Sequence, residues 1–181
     1  MFMQAHYFIG IKIPEPAAKK LDQARTAWNL KSHKRYTHWV DMHITLLFIG
    51  SDPHGEIQEV QQALSAIRHA PFELTTSTVK TFGNPATPRI VYAAVEDSPL
   101  LIELQAKVRE ALRPFRLNPD GKPFVPHITL AGKWAGGPPL DIDMPIPAMK
   151  FPVTEFTVFR IEPGNVSKYI PEASYQLKES V

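Results

Sequence analysis

HITLLFIG at 43–50 and HITLAGKW at 127–134 share the four residues His-Ile-Thr-Leu, 84 positions apart in a chain of 181. A repeated tetrapeptide alone says little, since one arises by chance in roughly one chain in five of this length at average residue usage. The content of the repeat says more. Side chains alternate between the two faces of a strand. As strands, the first copy puts His43, Thr45 and Leu47 on one face and Ile44, Leu46 and Phe48 on the other; the second puts His127, Thr129 and Ala131 against Ile128 and Leu130. The apolar rows predict the buried sides. Each strand then presents a His and a Thr, two residues apart, to solvent or to a cleft. If the strands lie side by side, the four polar groups converge.

Such a group has a definite chemistry. Near neutral pH imidazole exists in both protonation states, so one ring can take a proton while the other gives one. Threonine hydroxyls can donate to the non-bridging oxygens of a phosphate and steady the charge that develops in a transition state. Together they form an apparatus for breaking a phosphodiester without a metal. A metal site built from His43, His127 and Asp41 is the chemical rival. The chain has neither a His-x-x-x-His spacing nor a dense carboxylate cluster, so no metal and no cofactor are expected.

Composition sets the frame. Hydrophobic residues make up 44% and charged residues 21%, with a formal net charge of +2. These are values of an ordinary globular protein, mildly basic, which permits an anionic ligand without demanding one. The absence of cysteine rules out disulfides, thiolate ligands and a cysteine nucleophile. The start, MFMQAHYFIGIKIPEP, lacks a basic segment followed by a long apolar one, and no apolar run approaches a membrane span. A cytoplasmic, monomeric protein of one domain over 1–181 is the expectation.

Along the chain, period-two patterning predicts strands at His6–Ile13, within Trp39–Ile49, at 72–82 and 89–95, through the second HITL stretch, at Val153–Ile161, and over 173–178. The turn residues 83–88 join 72–82 and 89–95 as a hairpin. Helices are predicted over 16–30, after Ser51-Asp52-Pro53, and after Ser98-Pro99, where Ser is an N-cap and Pro suits the first helical position. Phe8, Ile11, Trp28 and Phe48 are assigned to the core. KSHKRYTH at 31–38 reads as a basic loop. Strands interrupted by helices but including hairpins predict an α+β fold with mainly antiparallel sheet.

These stretches together resemble the 2H phosphoesterases, a family named for two His-x-Thr/Ser motifs, and within it the RNA 2′,3′-cyclic phosphodiesterases, also called 2′-5′ RNA ligase-like proteins. The resemblance is carried by HYFIGIKIPEPAAKKL, WVDMHITLLFIG, FGNPATPRIVYAAV, PFVPHITLAGKW and FTVFRIEP, and so covers nearly the whole chain. It implies two pseudo-symmetric lobes of mainly antiparallel sheet, helices outside, around a central active-site cleft. It implies hydrolysis of a 2′,3′-cyclic phosphate at an RNA or nucleotide end to a 2′-phosphate, with reversible 2′-5′ RNA ligase activity beside it and no cofactor. His43 and His127 are then catalytic, with His127 the base and His43 the acid, and Thr45 and Thr129 bind the phosphate. The alternative is a non-catalytic nucleotide- or RNA-end-binding module of the same fold. One departure stands out. Many members carry Arg after the second His-x-Thr-Leu-x, where this chain has Gly132, followed by Lys133. Lys133 is the candidate phosphate-binding substitute, but it needs a local bend to face the cleft.

Further candidates are secondary. Lys31, His33, Lys34, Arg35 and His38, and likewise Arg113, Arg116 and Lys122, suit either an RNA backbone or a solvated surface. Tyr36, Trp39 and Phe124 suit base stacking or core. Asp41 is placed to orient His43. His6, His54 and His69 are assigned to surface or structural positions.

Overall fold

The two HITL stretches lie on strands that neighbour each other at the middle of the sheet. A computed structural model of the chain describes residues 5–117, 119, 121–162 and 168–179. In chain order the strands are β1 (His6–Lys12), β2 (His33–Tyr36), β3 (His43–Ser51), β4 (Phe72–Phe82), β5 (Ile90–Val95), β6 (Ile128–Trp134), β7 (Lys150–Val153), β8 (Glu155–Ile161) and β9 (Tyr169–Gln176). The helices are α1 (Glu15–Trp28), α2 (Ile57–Ser65) and α3 (Pro99–Leu112), with a 3-10 turn at Trp39–Asp41. The strand order is β7-β4-β5-β6-β3-β1-β8-β9, with β2 added beside β6. Every pairing is antiparallel. Among the described residues no helix is long and apolar enough to cross a membrane.

The halves meet where the repeats meet. The pairing of β3 with β6 is the single match of Ile44 with Ile128, the same residue of each copy. A local two-fold relation thus runs through the repeat, and beyond that point the strands diverge. At the far ends of the path, Thr154 alone separates β7 from β8, so the edges of the sheet are drawn together around the core. Ile9, Ile11, Leu46, Leu64, Leu104, Ile128, Leu130 and Phe156 fill it.

Simple alternation fails after the first three residues of each copy, for the same reason both times. In β3, Gly10 pairs with Thr45 and Ile9 with Leu47, leaving Leu46 as an extra residue. In β6, Tyr92 pairs with Thr129 and Val91 with Ala131, leaving Leu130 extra. Each is a β-bulge, which inserts one residue and reverses the facing of those that follow. Leu47, expected beside His43, is therefore buried, and Phe48, expected in the core, is 45% exposed. Ala131 is likewise buried.

Each bulge carbonyl accepts from a polar side chain of a helix. The Arg25 guanidinium of α1 donates to Leu130 O at 3.0 Å, beside the Thr37 N–H, also at 3.0 Å. The Gln105 amide of α3 donates to Leu46 O at 3.2 Å. Both side chains are largely buried. The helices are crossed with respect to the chain: α1 follows β1 yet serves the second copy, and α3 follows β5 yet serves the first.

Other local departures have plain causes. The segment read as a basic loop contains β2, an edge strand whose charged residues need no apolar row. Its His33 is buried, with Nε2 donating to Pro88 O at 2.8 Å and Nδ1 accepting from the Ser32 hydroxyl at 2.9 Å. Helix α2 begins at Ile57 rather than directly after Ser51-Asp52-Pro53, because Asp52 reaches forward to accept from the backbone N–H groups of Glu56 and Ile57 at 2.7 and 3.0 Å. Ser98 caps α3 as expected, accepting from Leu101 N at 3.2 Å. The strand expected over 153–161 divides at Thr154 into β7 and β8.

Two substitutions test this frame. Gln105→Leu leaves the Leu46 carbonyl buried without its donor and is expected to cost about 1–3 kcal/mol, read as a lower urea midpoint. Gly10→Ala places a Cβ 2.8 Å from Ile44 O and 3.2 Å from the Phe8 ring; a backbone oxygen cannot turn aside, so a loss of about 1–3 kcal/mol is expected. A wild-type midpoint in either variant contradicts the corresponding contact.

Candidate active site

Two half-buried imidazoles stand at the seam, held in the same way. His43 Nδ1 lies 2.7 Å from the Asp41 carbonyl and His127 Nδ1 lies 2.8 Å from the Val125 carbonyl, each two residues earlier in the chain. A carbonyl only accepts, so Nδ1 carries the proton in both rings and a neutral ring has its lone pair on Nε2. In the first copy that lone pair receives the Thr45 hydroxyl, with Nε2 and Oγ1 3.0 Å apart. Asp41 thus orients His43 through its backbone rather than its carboxylate, which instead accepts from Lys168 N at 3.2 and 3.3 Å.

Aromatic rings fix both imidazoles. Phe8 and Tyr169 lie 4.7 and 4.9 Å from His43, centroid to centroid, and Phe82 and Tyr92 lie 5.1 and 5.5 Å from His127. Phe8 is therefore buried as expected, but against His43. Burial among these rings disfavours the imidazolium and pushes the His43 pKa down to about 4, only partly opposed by the hydrogen bond to the Asp41 carbonyl. His43 is neutral at pH 7.

The cleft has two recesses, and each draws a histidine from one copy and a threonine from the other. Thr45 and His127 border a cavity of about 450 Å³ with Phe48, Phe82 and Phe124. His43 and Thr129 border one of about 350 Å³ with Arg35, Arg89 and Lys133. Arg89 lines both. The first recess carries three phenyl rings beside the cations Arg89, Arg109 and Lys122, and the second carries Arg35, Arg89 and Lys133 with no phenylalanine. Both volumes are within the range of small-ligand sites.

The bulges explain this asymmetry. Phe48 and Gly132 occupy the same position in their copies, five residues after the histidine, and the reversed facing turns that position toward the cleft. One copy places a phenyl ring there and the other places nothing. Lys133 has φ +61°, a left-handed conformation uncommon outside glycine. This is the bend it needs, and its N–H donates to Arg89 O at 3.1 Å while its side chain borders the basic recess.

The expected quartet of His43, Thr45, His127 and Thr129 is therefore brought to one cleft, with Lys133 and Phe124. Other candidates lie elsewhere. Tyr36 donates its hydroxyl to Leu30 O at 2.9 Å, and Trp39 packs against the core with Lys19 Nζ over its ring at 4.8 Å. Arg113 and Arg116 pair with Glu110 and Glu56. Sequence reasoning missed Arg89 and Tyr169. The first follows a turn and gave no periodic signal; the second is brought to His43 by β9, far away in sequence. Among the described residues no three His, Asp or Glu gather as metal ligands.

Comparison with known proteins fits this geometry. The chain is 32% identical over 183 residues to an RNA 2′,3′-cyclic phosphodiesterase of Geobacillus stearothermophilus, covering 96% of this chain and 58% of that protein. It is 27% identical over 179 residues to one of Bacillus subtilis, covering 97% and 98%. Among solved structures, a Thermus thermophilus protein superposes with a TM-score of 0.83 at 26% identity, covering 97% of this chain and all of that one. Escherichia coli LigT, crystallised with 3′-AMP, superposes with a TM-score of 0.79 at 22% identity over 97% and 99%, a likeness of fold. The family model of the 2′-5′ RNA ligase superfamily matches residues 13–165, and the chain belongs to that superfamily.

Proposed function

We propose that this chain is an RNA 2′,3′-cyclic phosphodiesterase, opening a terminal 2′,3′-cyclic phosphate on RNA or a nucleotide to a 2′-phosphate without metal or cofactor. The observation that carries this reading is the matched pair of imidazoles, both with Nδ1 anchored on a carbonyl, at the junction of an aromatic and a basic recess. A phosphate at the junction meets Nε2 of one ring on each side. The three phenyl rings of the first recess suit the base, and the cations that border both recesses suit the anion.

In the reaction, water attacks phosphorus opposite the P–O3′ bond. One Nε2 takes a proton from the water. The P–O3′ bond breaks, and the other ring gives its Nε2 proton to O3′. The products are a 2′-phosphomonoester and a free 3′-hydroxyl, and proton exchange with solvent resets both rings. Thr45 and Thr129 donate to the non-bridging oxygens, Thr45 turning away from His43 Nε2 and exposing that lone pair. Lys133 adds positive charge on the phosphate side. With a 5′-hydroxyl in place of water, the same displacement forms a 2′-5′ phosphodiester and frees the 3′-hydroxyl, which is ligation.

The protonation state of His43 argues for the reverse of the order expected from resemblance. A ring with its pKa pushed down to about 4 carries no proton to give at neutral pH, which favours His43 as the base and leaves His127 as the acid.

An RNA oligonucleotide ending in a 2′,3′-cyclic phosphate, incubated with the protein in EDTA, is expected to yield a 2′-phosphate; an intact end would overturn the reading. Replacing either histidine by Ala should cut turnover about 10²–10⁴-fold with the fold retained. Sulfur in place of the 3′ bridging oxygen leaves without an acid. Such a substrate should restore turnover to His127→Ala and not to His43→Ala, whereas rescue of His43→Ala alone would reverse the two roles. In imidazole nitrogen NMR, His43 should stay neutral from pH 8 down to about 5; titration near the ordinary histidine value would remove the argument for His43 as base.

A further inference from the structure

The histidine and threonine of the basic recess are neutral, so a phosphate held there takes its fixed charge from the cations that border it, Arg35, Arg89 and Lys133. On β6 the cleft-facing position is Gly132, which has no side chain. A Cβ at Gly132 would meet nothing within 4 Å. The glycine is not there to relieve crowding, and its absent side chain leaves room in the recess.

The strand beside it fills the gap. In the ladder of β2 and β6, Arg35 is the direct partner of Gly132. Directly opposed residues of an antiparallel pair point to the same face, with Cβ atoms about 4.5–5.5 Å apart. The Arg35 side chain therefore rises from β2 into the space that a residue at 132 would use, and it borders the cavity with His43 and Thr129. Its charge reaches a neighbour of the histidine: burial, then Asp41, hold the Tyr169 phenol above its usual pKa, and Arg35 opposes them, while the same ring packs edge-on against His43 at 4.9 Å. Among the described residues no carboxylate pairs with Arg35, whereas Arg25, Arg113, Arg116 and Arg160 all have acidic partners. An exposed arginine left unpaired at a cavity beside a histidine is available to an anion, and its planar fork suits two phosphate oxygens at once.

We propose that Arg35 is a phosphate-binding residue of this cleft, supplying from β2 the cation that β6 lacks at Gly132. This deepens the reading of the site as a phosphodiesterase and rests on it for the identity of the substrate. The strand β2 thereby becomes part of the binding site, and Lys133 contributes a second, point-like charge beside the guanidinium fork.

The test is a rescue across the ladder. Arg35→Ala should lose about 10- to 100-fold in kcat/KM on cyclic-phosphate RNA, the range of a charge-assisted hydrogen bond, and should bind adenosine 2′-monophosphate correspondingly more weakly by calorimetry, at an unchanged melting temperature. Arg35→Lys should recover only part of either. Gly132→Arg placed in the Arg35→Ala background should restore most of both, because the new guanidinium starts from the facing Cβ. If Arg35→Ala stays within about twofold of wild type in both readouts, or if Gly132→Arg fails to restore them, the assignment is wrong. If the wild-type protein turns over no cyclic phosphate but still binds adenosine 2′-monophosphate through Arg35, the phosphodiesterase reading fails and this one stands.

Discussion

The site depends on one backbone irregularity used twice. The extra residue at Leu46 and at Leu130 lets each repeat bury Ile, Leu and the next residue together, while His, Thr and the residue after the bulge face the cleft. Without it, Leu47 and Ala131 would compete with the polar groups for the cleft face. A buried acceptor left alone costs about 1–3 kcal/mol. Gln105 of α3 supplies a donor to the first bulge carbonyl, and Arg25 of α1 joins the Thr37 N–H at the second. The crossed helices tie each half-sheet to the other, and the geometry of one histidine depends on the packing of both.

From that common frame the copies diverge in chemistry. Phe48 and Gly132 are equivalent by position and opposite in effect, one building an aromatic wall and the other opening a basic recess. The histidines share a carbonyl anchor and an aromatic surround, yet His43 sits where burial keeps it neutral. A symmetric scaffold thus holds an asymmetric reaction, which a cyclic phosphate requires, since only one of its two ester oxygens leaves.

Much of this was legible in the sequence. The period-two rows around Ile44 and Ile128, the turn residues between 82 and 89, and the Ser98-Pro99 cap are local signals, and the structure follows them. The repeat put His and Thr of each copy on one face, and their convergence needed the further condition that the two strands lie side by side, as β3 and β6 do. What failed to show is non-local. A bulge reads as unbroken alternation, so Leu47 and Phe48 were exchanged between faces. An edge strand paired on one side needs no apolar row, so His33–Tyr36 looked like a loop, and with it the register between Arg35 and Gly132 was hidden. Arg25 and Gln105 look like surface residues on helices, since the strand carbonyls they donate to are far away in the chain. The bend at Lys133 lies in a φ value that no residue type announces, lysine least of all.

The central claim is that both imidazoles address one phosphate from opposite sides. A crystal structure of the wild-type protein with a 2′-phosphorylated nucleotide tests it most directly. The account requires one phosphate at the seam, with Nε2 of His43 and Nε2 of His127 each within hydrogen-bond distance of its oxygens and Thr45 turned from the histidine onto the anion. A phosphate touching only one of the two rings, or seated away from the junction of Ile44 and Ile128, would contradict it.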